Sequence, residues 1–213
     1  MVAPTIFGMS EIHHTTIIPP FFPKVKRKFA ELSVQRRLFV LQYKQILRED
    51  TKMAEFKTNV YRIFDKEKLP YTPHTYEHGD GAVDGMTISA LLGIAPGRIF
   101  KTLVTKGADR NYYVFDVPVN RELDLKKAAR TVGVKSVEMI PVADINKVTG
   151  YVRGGCSPIG MKKKYRTVFD ATAENLETML VSAGKIGWQI EAKPSDLARL
   201  SDATFADILL ELV

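Results

Sequence analysis

The spacing of apolar residues divides most of the chain into short helices and strands. Phe56, Val60, Ile63 and Phe64 recur at helical intervals, which predicts a helix from about residue 53 to residue 69. Shorter helices are predicted at residues 87–92, 124–132 and 142–148, and a glycine follows each of them. Patterns typical of strands or extended chain occupy residues 71–78, 98–106, 112–119, 136–140, 151–153, 166–170, 178–182 and 187–192.

The order of these elements indicates the fold class. A doubly wound fold repeats long strand–helix–strand units, whereas the helices and strands here alternate irregularly. The strands at residues 98–106 and 112–119 are joined by a short segment typical of a hairpin loop. We therefore predict an α+β fold in which helices flank a mixed, mostly antiparallel sheet.

Residues 1–52 differ in character from the rest of the chain. Several prolines and a basic run at residues 24–28 are typical of a flexible tail. Residues 31–48 carry apolar side chains at helical spacing among lysines and arginines, which predicts an amphipathic helix with a cationic face. That face is either solvated or in contact with nucleic acid or another partner. We predict a basic N-terminal extension at 1–52 and a globular domain at 53–213.

Charge and cysteine content narrow the class of protein. An apolar content of 45% in 213 residues is typical of a globular chain, and a net charge of +7 favours a polyanionic partner. Residues 1–52 hold nine Lys and Arg against four Asp and Glu, a net of +5, which leaves +2 for the remainder. One cysteine excludes an internal disulfide, and His74 and His78 lack a third metal ligand nearby. Without a long apolar run or a signal sequence, we predict a cytoplasmic protein with no membrane span and no metal.

Lys101 and the loop at residues 154–160 carry the candidate chemistry. Lys101 has apolar neighbours in a predicted strand, where a buried ammonium group would need an anion or strong acceptors. Strand alternation alone is equally compatible with an outward-facing lysine. Gly154 and Gly155 allow positive φ and the close approach of another backbone or a ligand, and Ser157 adds a hydroxyl. Such a loop presents N–H groups to a carbonyl oxygen, although many loops of this composition are only tight turns.

Further landmarks surround these residues in a fixed order. They are the segments HTYEH at 74–78, FKTL at 100–103, LDLKKAA at 123–129, SVEM at 136–139, TGYV at 149–152 and VSAGK at 181–185. With this order and spacing, residues 54–210 resemble the Cys-tRNA(Pro) deacylase family, the YbaK-type trans-editing proteins. Met53 matches the usual start of that family. Residues 1–52 are therefore also compatible with an upstream extension of the reading frame that is not native.

The resemblance implies a fold, an activity and a set of residues. The fold is a barrel-like mixed sheet of six or seven strands, and the activity is cleavage of an aminoacyl ester without a cofactor. Catalysis falls to Lys101, which would meet the 3′-terminal adenosine and the ester, and to backbone groups of Gly154 and Gly155. The substrate-binding residues implied are Tyr76 at the pocket mouth, Ser182 at its floor, Ser157, Thr102 as support for the lysine, and Asp170. Ser157 would either hydrogen-bond the substrate or support the loop. The substrate's own cysteine thiol would attack its ester, while the protein supplies proximity and oxyanion stabilisation.

Some of these residues also have simpler structural explanations. Tyr76 at a strand end commonly packs, and Ser182 commonly belongs to a turn. Asp170 either orients a substrate amine or, as its position favours, caps the helix that follows. Cys156 would be a nucleophile only if its pKa were lowered. Because the family has an aliphatic residue there, we predict that Cys156 is part of the pocket wall.

The leading hypothesis is a trans-editing enzyme that removes cysteine from Cys-tRNA(Pro), alone or bound to prolyl-tRNA synthetase. The alternative within the same class is an Ala-tRNA(Pro) or broader aminoacyl-tRNA deacylase. Thr102 and Cys156 differ from the residues usual in alanine-specific relatives, which favours cysteine. Departures from the family pattern at Met161, Ala183 and Gln189 affect the shape and charge of the amino-acid pocket. A hypothesis of another class is a non-catalytic RNA-binding or synthetase-adaptor module that uses the basic extension.

Overall fold

The computed structural model describes residues 57–79 and 81–211, in which short helices and strands alternate. The α-helices are α1 (Asn59–Glu67), α2 (Gly85–Leu92), α3 (Leu125–Val132), α4 (Ile145–Thr149) and α5 (Pro194–Ser201). The strands are β1 (Thr72–Thr75), β2 (Phe100–Gly107), β3 (Tyr112–Pro118), β4 (Val137–Met139), β5 (Arg166–Asp170), β6 (Met179–Ser182), β7 (Trp188–Ala192) and β8 (Ala203–Ala206). Single 3-10 turns cover Pro96–Arg98, Val142–Asp144 and Ala171–Asn175. The predicted extension, residues 1–52, lies outside the described residues.

The strands form two sheets. One has five strands in the order β4-β2-β3-β5-β8, and the other has three in the order β1-β7-β6. Within the described ranges, only the β3–β5 and β5–β8 pairs are parallel and the other four pairs are antiparallel. A parallel bridge between Ile99 and Leu180 connects the sheets. The predicted α+β fold with mostly antiparallel strands is confirmed, although the described residues form eight strands in two sheets rather than one barrel-like sheet of six or seven.

Capping residues explain where the helices begin and end. Asp84 and Asp124 accept hydrogen bonds from N–H groups in the first turns of α2 and α3. Gly93 and Gly133 follow the same two helices with φ of 65° and 74°, a conformation that glycine adopts without steric cost. Each N-cap contributes about 1 kcal/mol. Because these signals are local, the predicted C-terminal ends of both helices agree with the structure, whereas α2 begins two residues before its predicted start at residue 87.

Two hydrophobic clusters fix the sheets relative to each other. The larger one packs α1 against both sheets, and its buried members include Val60, Phe64, Phe100, Val181 and Ile190. The smaller one lies where the Ile99–Leu180 bridge joins the sheets, and its buried members are Tyr76, Ile88, Ile99 and Leu180. Tyr76 follows β1 directly. Its burial therefore fixes the chain after β1 beside the junction of the two sheets.

The structure lacks one predicted strand and contains a helix and a strand that were not predicted. Residues 151–153 form coil and a turn rather than a strand. The helix α5 and the strand β8 were not predicted, because Ala203–Ala206 shows no clear alternation and pairs in parallel with β5, a partner remote in sequence. Within the described ranges, every helix is too short or too polar to span a bilayer.

Candidate active site

The predicted glycine loop lies against two other segments of the chain. A Cβ at Gly154 would stand 2.6 Å from Ala82 Cβ, and the φ of 82° at Gly154 is itself unfavourable for other residues. A Cβ at Gly155 would stand 3.1 Å from the backbone nitrogen of Ile186. The two glycines therefore allow the loop to approach both the chain after β1 and the turn before β7.

Polar side chains line the wall next to this loop. Ser182 on β6 pairs with Gln189 on β7, so the two side chains share one face of the three-stranded sheet. Leu180, two residues before Ser182, shares that face and packs with Tyr76. Within the described part of the chain, the Tyr76 hydroxyl and Gln189 Oε1 are buried without a hydrogen-bond partner. Buried polar atoms are normally paired, so two unpaired ones on one wall indicate a ligand site.

Gln189 was not assigned to the site from the sequence, where it appeared only as a departure from the family pattern. Its backbone carbonyl accepts a hydrogen bond from the Tyr61 hydroxyl at 2.7 Å, which helps to hold this part of β7 in place. Its side chain is 4% exposed. The pairing with Ser182 is the structural signal that places it in the wall, and no local sequence pattern contains that information.

Hydrogen bonds within the loop and the neighbouring turn limit what they can offer a substrate. The Gly155 N–H donates to the Val152 carbonyl at 3.0 Å, so this donor is already used in a turn rather than directed at an oxyanion. Ser157 is fully buried, and its Oγ accepts from the Ile159 N–H at 3.3 Å. Ser157 thus supports the loop, which was one of its two predicted roles. Ser182 Oγ likewise accepts from a backbone N–H in the turn after β6.

Lys101 is partly exposed on β2 rather than buried. Its Nζ donates to Glu122 Oε1 at 2.9 Å, and its side chain keeps 29% of its exposure. Strand alternation places Lys101 on the same side of the chain as Ile99, which packs with Tyr76. The ammonium group therefore has an anionic partner and lies on the side of the sheet junction that carries the polar wall.

Thr102 points to the opposite side of β2. Its hydroxyl donates to Asp116 Oδ1 at 2.6 Å, so the predicted support of Lys101 by Thr102 is wrong. Asp116 is fully buried, and its Oδ2 has no partner among the described residues. Burial raises the pKa of Asp116 to about 8, against a smaller lowering by the Thr102 hydrogen bond, so the carboxyl is mostly protonated at neutral pH.

Cys156 is partly exposed, and its thiol is not an activated one. Burial raises its pKa to about 12, the negative charge of Asp116 adds to the rise, and a hydrogen bond with Thr149 opposes it. The side chain packs against the apolar cluster of Val104, Ile140 and Val148. These contacts favour the predicted role of Cys156 as wall and disfavour a role as nucleophile.

The Cys156 environment predicts slow alkylation. At pH 8 we expect iodoacetamide to modify Cys156 in the folded chain about 100-fold more slowly than in the unfolded chain, because the raised pKa leaves little thiolate. A thiolate of higher pKa is intrinsically more reactive, but this only partly offsets its low concentration. Mass spectrometry after timed quenching measures both rates, with the urea-unfolded chain as the reference. Equal rates would show that the thiol is neither buried nor kept protonated.

Asp170 acts as a helix cap. Its Oδ1 accepts from the Thr172 N–H and hydroxyl at 3.0 and 2.6 Å, and its Oδ2 accepts from the Ile208 N–H at 3.2 Å. Since the carboxylate is 1% exposed and both oxygens are engaged, the structure corrects its assignment to substrate binding in favour of capping.

His74 is paired with a carboxylate, because its Nε2 lies 2.7 Å from Glu191 Oε2. In residues 57–79 and 81–211, no three His, Cys, Asp or Glu side chains are grouped to hold a metal.

Comparison with known proteins identifies the family. The family model of the aminoacyl-tRNA editing domain matches residues 84–200, which include Lys101, the glycine loop and the wall on β6 and β7. The chain belongs to this family. As an editing domain it is an aminoacyl-tRNA deacylase, which is the enzyme class predicted from the sequence.

Named relatives agree with this assignment. The editing domain is 43% identical over 157 residues to EbsC of Enterococcus faecalis, a protein named as a candidate Cys-tRNA(Pro)/Cys-tRNA(Cys) deacylase, and the match covers 74% of this chain and 96% of that protein. It is also 28% identical over 102 residues to a proline–tRNA ligase of Thermoanaerobacter sp.. That match covers 47% of this chain but only 18% of the ligase.

Solved structures share the fold of the editing domain. The crystal structure of a protein described as a trans-editing enzyme for prolyl-tRNA synthetase superposes with a TM-score of 0.60 at 23% identity, covering 71% of this chain and 97% of that one. The crystal structure of protein APE2540 gives a TM-score of 0.64 at 20% identity, with coverage of 71% and 99%. These similarities establish the common architecture of the two sheets and their flanking helices.

Proposed function

We propose that this chain removes cysteine from Cys-tRNA(Pro) in trans, as a polypeptide separate from the synthetase. The observation that carries the proposal is the wall of Tyr76, Ser182 and Gln189, on which two buried polar atoms have no partner within the described residues. An aminoacyl group with its own donors would complete these hydrogen bonds. The choice of substrate is supported by the 43% identical relative, whose name refers to Cys-tRNA(Pro) and Cys-tRNA(Cys).

The wall residues have distinct roles in this proposal. Gln189 Oε1 is an acceptor and binds the α-ammonium group of the aminoacyl ester. The Tyr76 hydroxyl hydrogen-bonds the terminal ribose or the ester. Lys101 leaves Glu122, whose carboxylate is 72% exposed, and places its positive charge near the 3′-terminal adenosine and the ester carbonyl. Little free energy opposes this movement, because an ion pair with an exposed partner contributes at most about 1 kcal/mol.

The family resemblance implies the chemistry, in which the substrate's own thiol serves as the nucleophile. The protein's one cysteine is not activated for that role, because burial raises its pKa to about 12. The substrate's sulfur forms a bond to the ester carbonyl carbon, the bond from that carbon to the ribose oxygen breaks, and the thiol proton passes to the ribose oxygen. The products are a cyclic thioester of cysteine and tRNA with a free 3′ end, and the protein contributes proximity and charge.

The proposal extends to partners and domains. Proline–tRNA ligases contain a region similar to this chain, which supports a prolyl-tRNA synthetase as the source of the mischarged tRNA and as a partner in the cytoplasm. Residues 53–213 form the deacylase domain in this proposal. Residues 1–52 are either an extension that adds positive charge or a segment that is not native. Deletion of residues 1–52 tests whether they contribute to activity.

The decisive experiment compares esters of one tRNA. We expect the full chain to deacylate Cys-tRNA(Pro) rapidly and to leave S-methylcysteinyl-tRNA(Pro) at the buffer rate, because methylation removes the nucleophile but little else. Ala-tRNA(Pro) and Pro-tRNA(Pro) complete the series. Release of radiolabelled amino acid over time measures all four rates.

Each outcome has a clear meaning. Cleavage of the S-methyl ester at the cysteinyl rate would contradict the substrate-assisted step and indicate direct attack by water. Preferential cleavage of Ala-tRNA(Pro) would assign the alanine specificity instead. If no ester were cleaved faster than in buffer, the deacylase proposal would fail and the non-catalytic RNA-binding module would take its place.

A further inference from the structure

A basic cleft lies beside the candidate active site and is not used by the proposed chemistry. It has a volume of about 580 Å³ and lies between the β2–β3 hairpin and the segment that leads into β5. Its lining residues are Arg110, Asn111, Tyr112, Tyr113, Lys163, Lys164, Tyr165 and Arg166. Four of these eight residues are cationic and none is acidic. A concentration of positive charge of this kind is typical of surfaces that bind polyanions.

The cleft continues toward the glycine loop. A second cleft, of about 370 Å³, shares Lys163, Lys164 and Tyr165 with the first and extends to Pro158 and Gly160 at the exit of that loop. Arg199 adds a further cation to the second cleft, and Asp202 is the carboxylate in its lining. The two clefts together form a continuous surface, which we call the basic path, from the exit of the glycine loop to the tip of the hairpin.

Three cations on the basic path are available to a ligand. Arg110, Lys163 and Lys164 are exposed, and among residues 57–79 and 81–211 no ion pair involves them. Arg166 differs, because its guanidinium donates to backbone carbonyls at the end of α3 at 2.9 Å. The nearby Asp109 is occupied within the hairpin, where its carboxylate accepts from Asn111 and Tyr113.

The aromatic residues make the path a formed surface rather than a set of flexible lysines. Tyr112 and Tyr165 pack edge to face, with ring centroids 6.0 Å apart, and both rest on the Val104 cluster. Cys156 of the glycine loop packs against the same cluster. The two rings are therefore connected through a shared core to the loop of the candidate site, which keeps the distance between that part of the path and the site constant.

We propose that the basic path binds the sugar–phosphate backbone of the substrate tRNA, with Arg110, Lys163 and Lys164 contacting phosphates. This inference rests on the proposed function for the identity of the RNA. Cations spaced along a groove fit a chain of phosphates, and such contacts position a nucleic acid without reading its sequence. The acceptor end would enter the pocket while the helical part of the RNA lies along residues 158–166 and the hairpin.

The test is binding of uncharged tRNA(Pro) to the full chain. Fluorescence anisotropy measures the affinity at a series of KCl concentrations. A triple variant, Arg110→Gln with Lys163→Gln and Lys164→Gln, should bind about 30-fold more weakly at low salt, and the slope of log affinity against log salt should fall by about two to three. The matched control carries Lys68→Gln, Lys126→Gln and Lys193→Gln, which are exposed cations that line neither cleft. It removes the same charge and should bind nearly as wild type.

Unchanged tRNA binding by the path variant would overturn the proposal. An equal loss of affinity in the path and control variants would also overturn it, because that loss would reflect net charge alone. Retained tRNA binding with lost capture of prolyl-tRNA synthetase would assign the path to a protein partner instead. The cysteinyl ester of adenosine, which is too small to reach the path, separates this proposal from the function itself. The path variant and the wild type should cleave this ester at equal rates. Failure of the wild type to cleave it would count against the deacylase proposal but would not affect the result of the tRNA-binding experiment.

Discussion

Replacing Lys101 with methionine is expected to lower kcat/KM for Cys-tRNA(Pro) by 100-fold or more. Methionine keeps an unbranched apolar stem but removes the ammonium group that we place near the ester and the terminal adenosine. Loss of one donor to developing negative charge in an enzyme site typically costs about 3 kcal/mol in transition-state stabilisation, which corresponds to a factor of 100 to 1,000. Single-turnover deacylation measures this loss without interference from product release.

Two variants serve as controls for the lysine. Lys106→Met removes an exposed cation from the same strand, so it should leave the rate within about twofold. Glu122→Gln removes the partner of Lys101 and should change the rate by less than about fivefold, since that carboxylate is largely exposed and the ion pair contributes little. If Lys101→Met were as active as Lys106→Met, the ammonium group would have no part in catalysis and the role implied by the family resemblance would be wrong for this chain.

Asp116 is expected to make the stability of the fold fall as pH rises from about 4 to about 8. Its pKa is about 8 in the folded chain against an ordinary value of 3.8, so the folded state holds a proton that the unfolded state releases. The folded form therefore loses stability with each unit of pH in this interval, by at most about 1.4 kcal/mol per unit, and the loss ends above pH 8. The total reaches at most about 6 kcal/mol, a large share of the stability of an ordinary domain.

Asparagine at position 116 removes this dependence. It keeps an oxygen that can accept from Thr102 but has no proton to lose, so Asp116→Asn should gain stability relative to wild type between pH 5 and pH 9. Urea unfolding at both pH values measures the difference. Asp144→Asn, which changes an exposed carboxylate, is the control and should follow the wild type. Parallel curves for wild type and Asp116→Asn would show that the carboxyl ionises as easily in the folded chain as in the unfolded one.

The sequence predicted those elements whose signals are local. The caps Asp124 and Gly133 fixed the ends of α3, and the turn residues before Tyr112 fixed the β2–β3 hairpin. The strand β8 was missed because it is held by parallel pairing with β5, and nothing within four residues encodes a partner more than thirty residues away. Pairing remote in sequence determines both its presence and its place at the sheet edge.

The sequence proposed a region for the candidate site but did not contain the contacts of its side chains. Alternation along β2 places Lys101 and Thr102 on opposite sides, yet the resemblance led us to pair them. Asp116 was visible in the sequence as a carboxylate within an apolar strand, but its burial depends on packing contributed by other parts of the fold. Gln189 entered the site only through its cross-strand partner. For Asp116 and Gln189 the missing information was the contact between segments remote in sequence, whereas the error at Thr102 went against local strand alternation.

The protonated state of Cys156 has a consequence for redox chemistry. An enzyme that handles thiol substrates exposes any ionised cysteine near its pocket to disulfide exchange with substrate and product, and to oxidation toward sulfenic acid. Both reactions require the thiolate. Since burial alone keeps Cys156 protonated at neutral pH, its thiol should react only slowly with disulfides. Under the proposed function, the domain can therefore carry a cysteine in its loop and still process cysteinyl esters under mildly oxidising conditions.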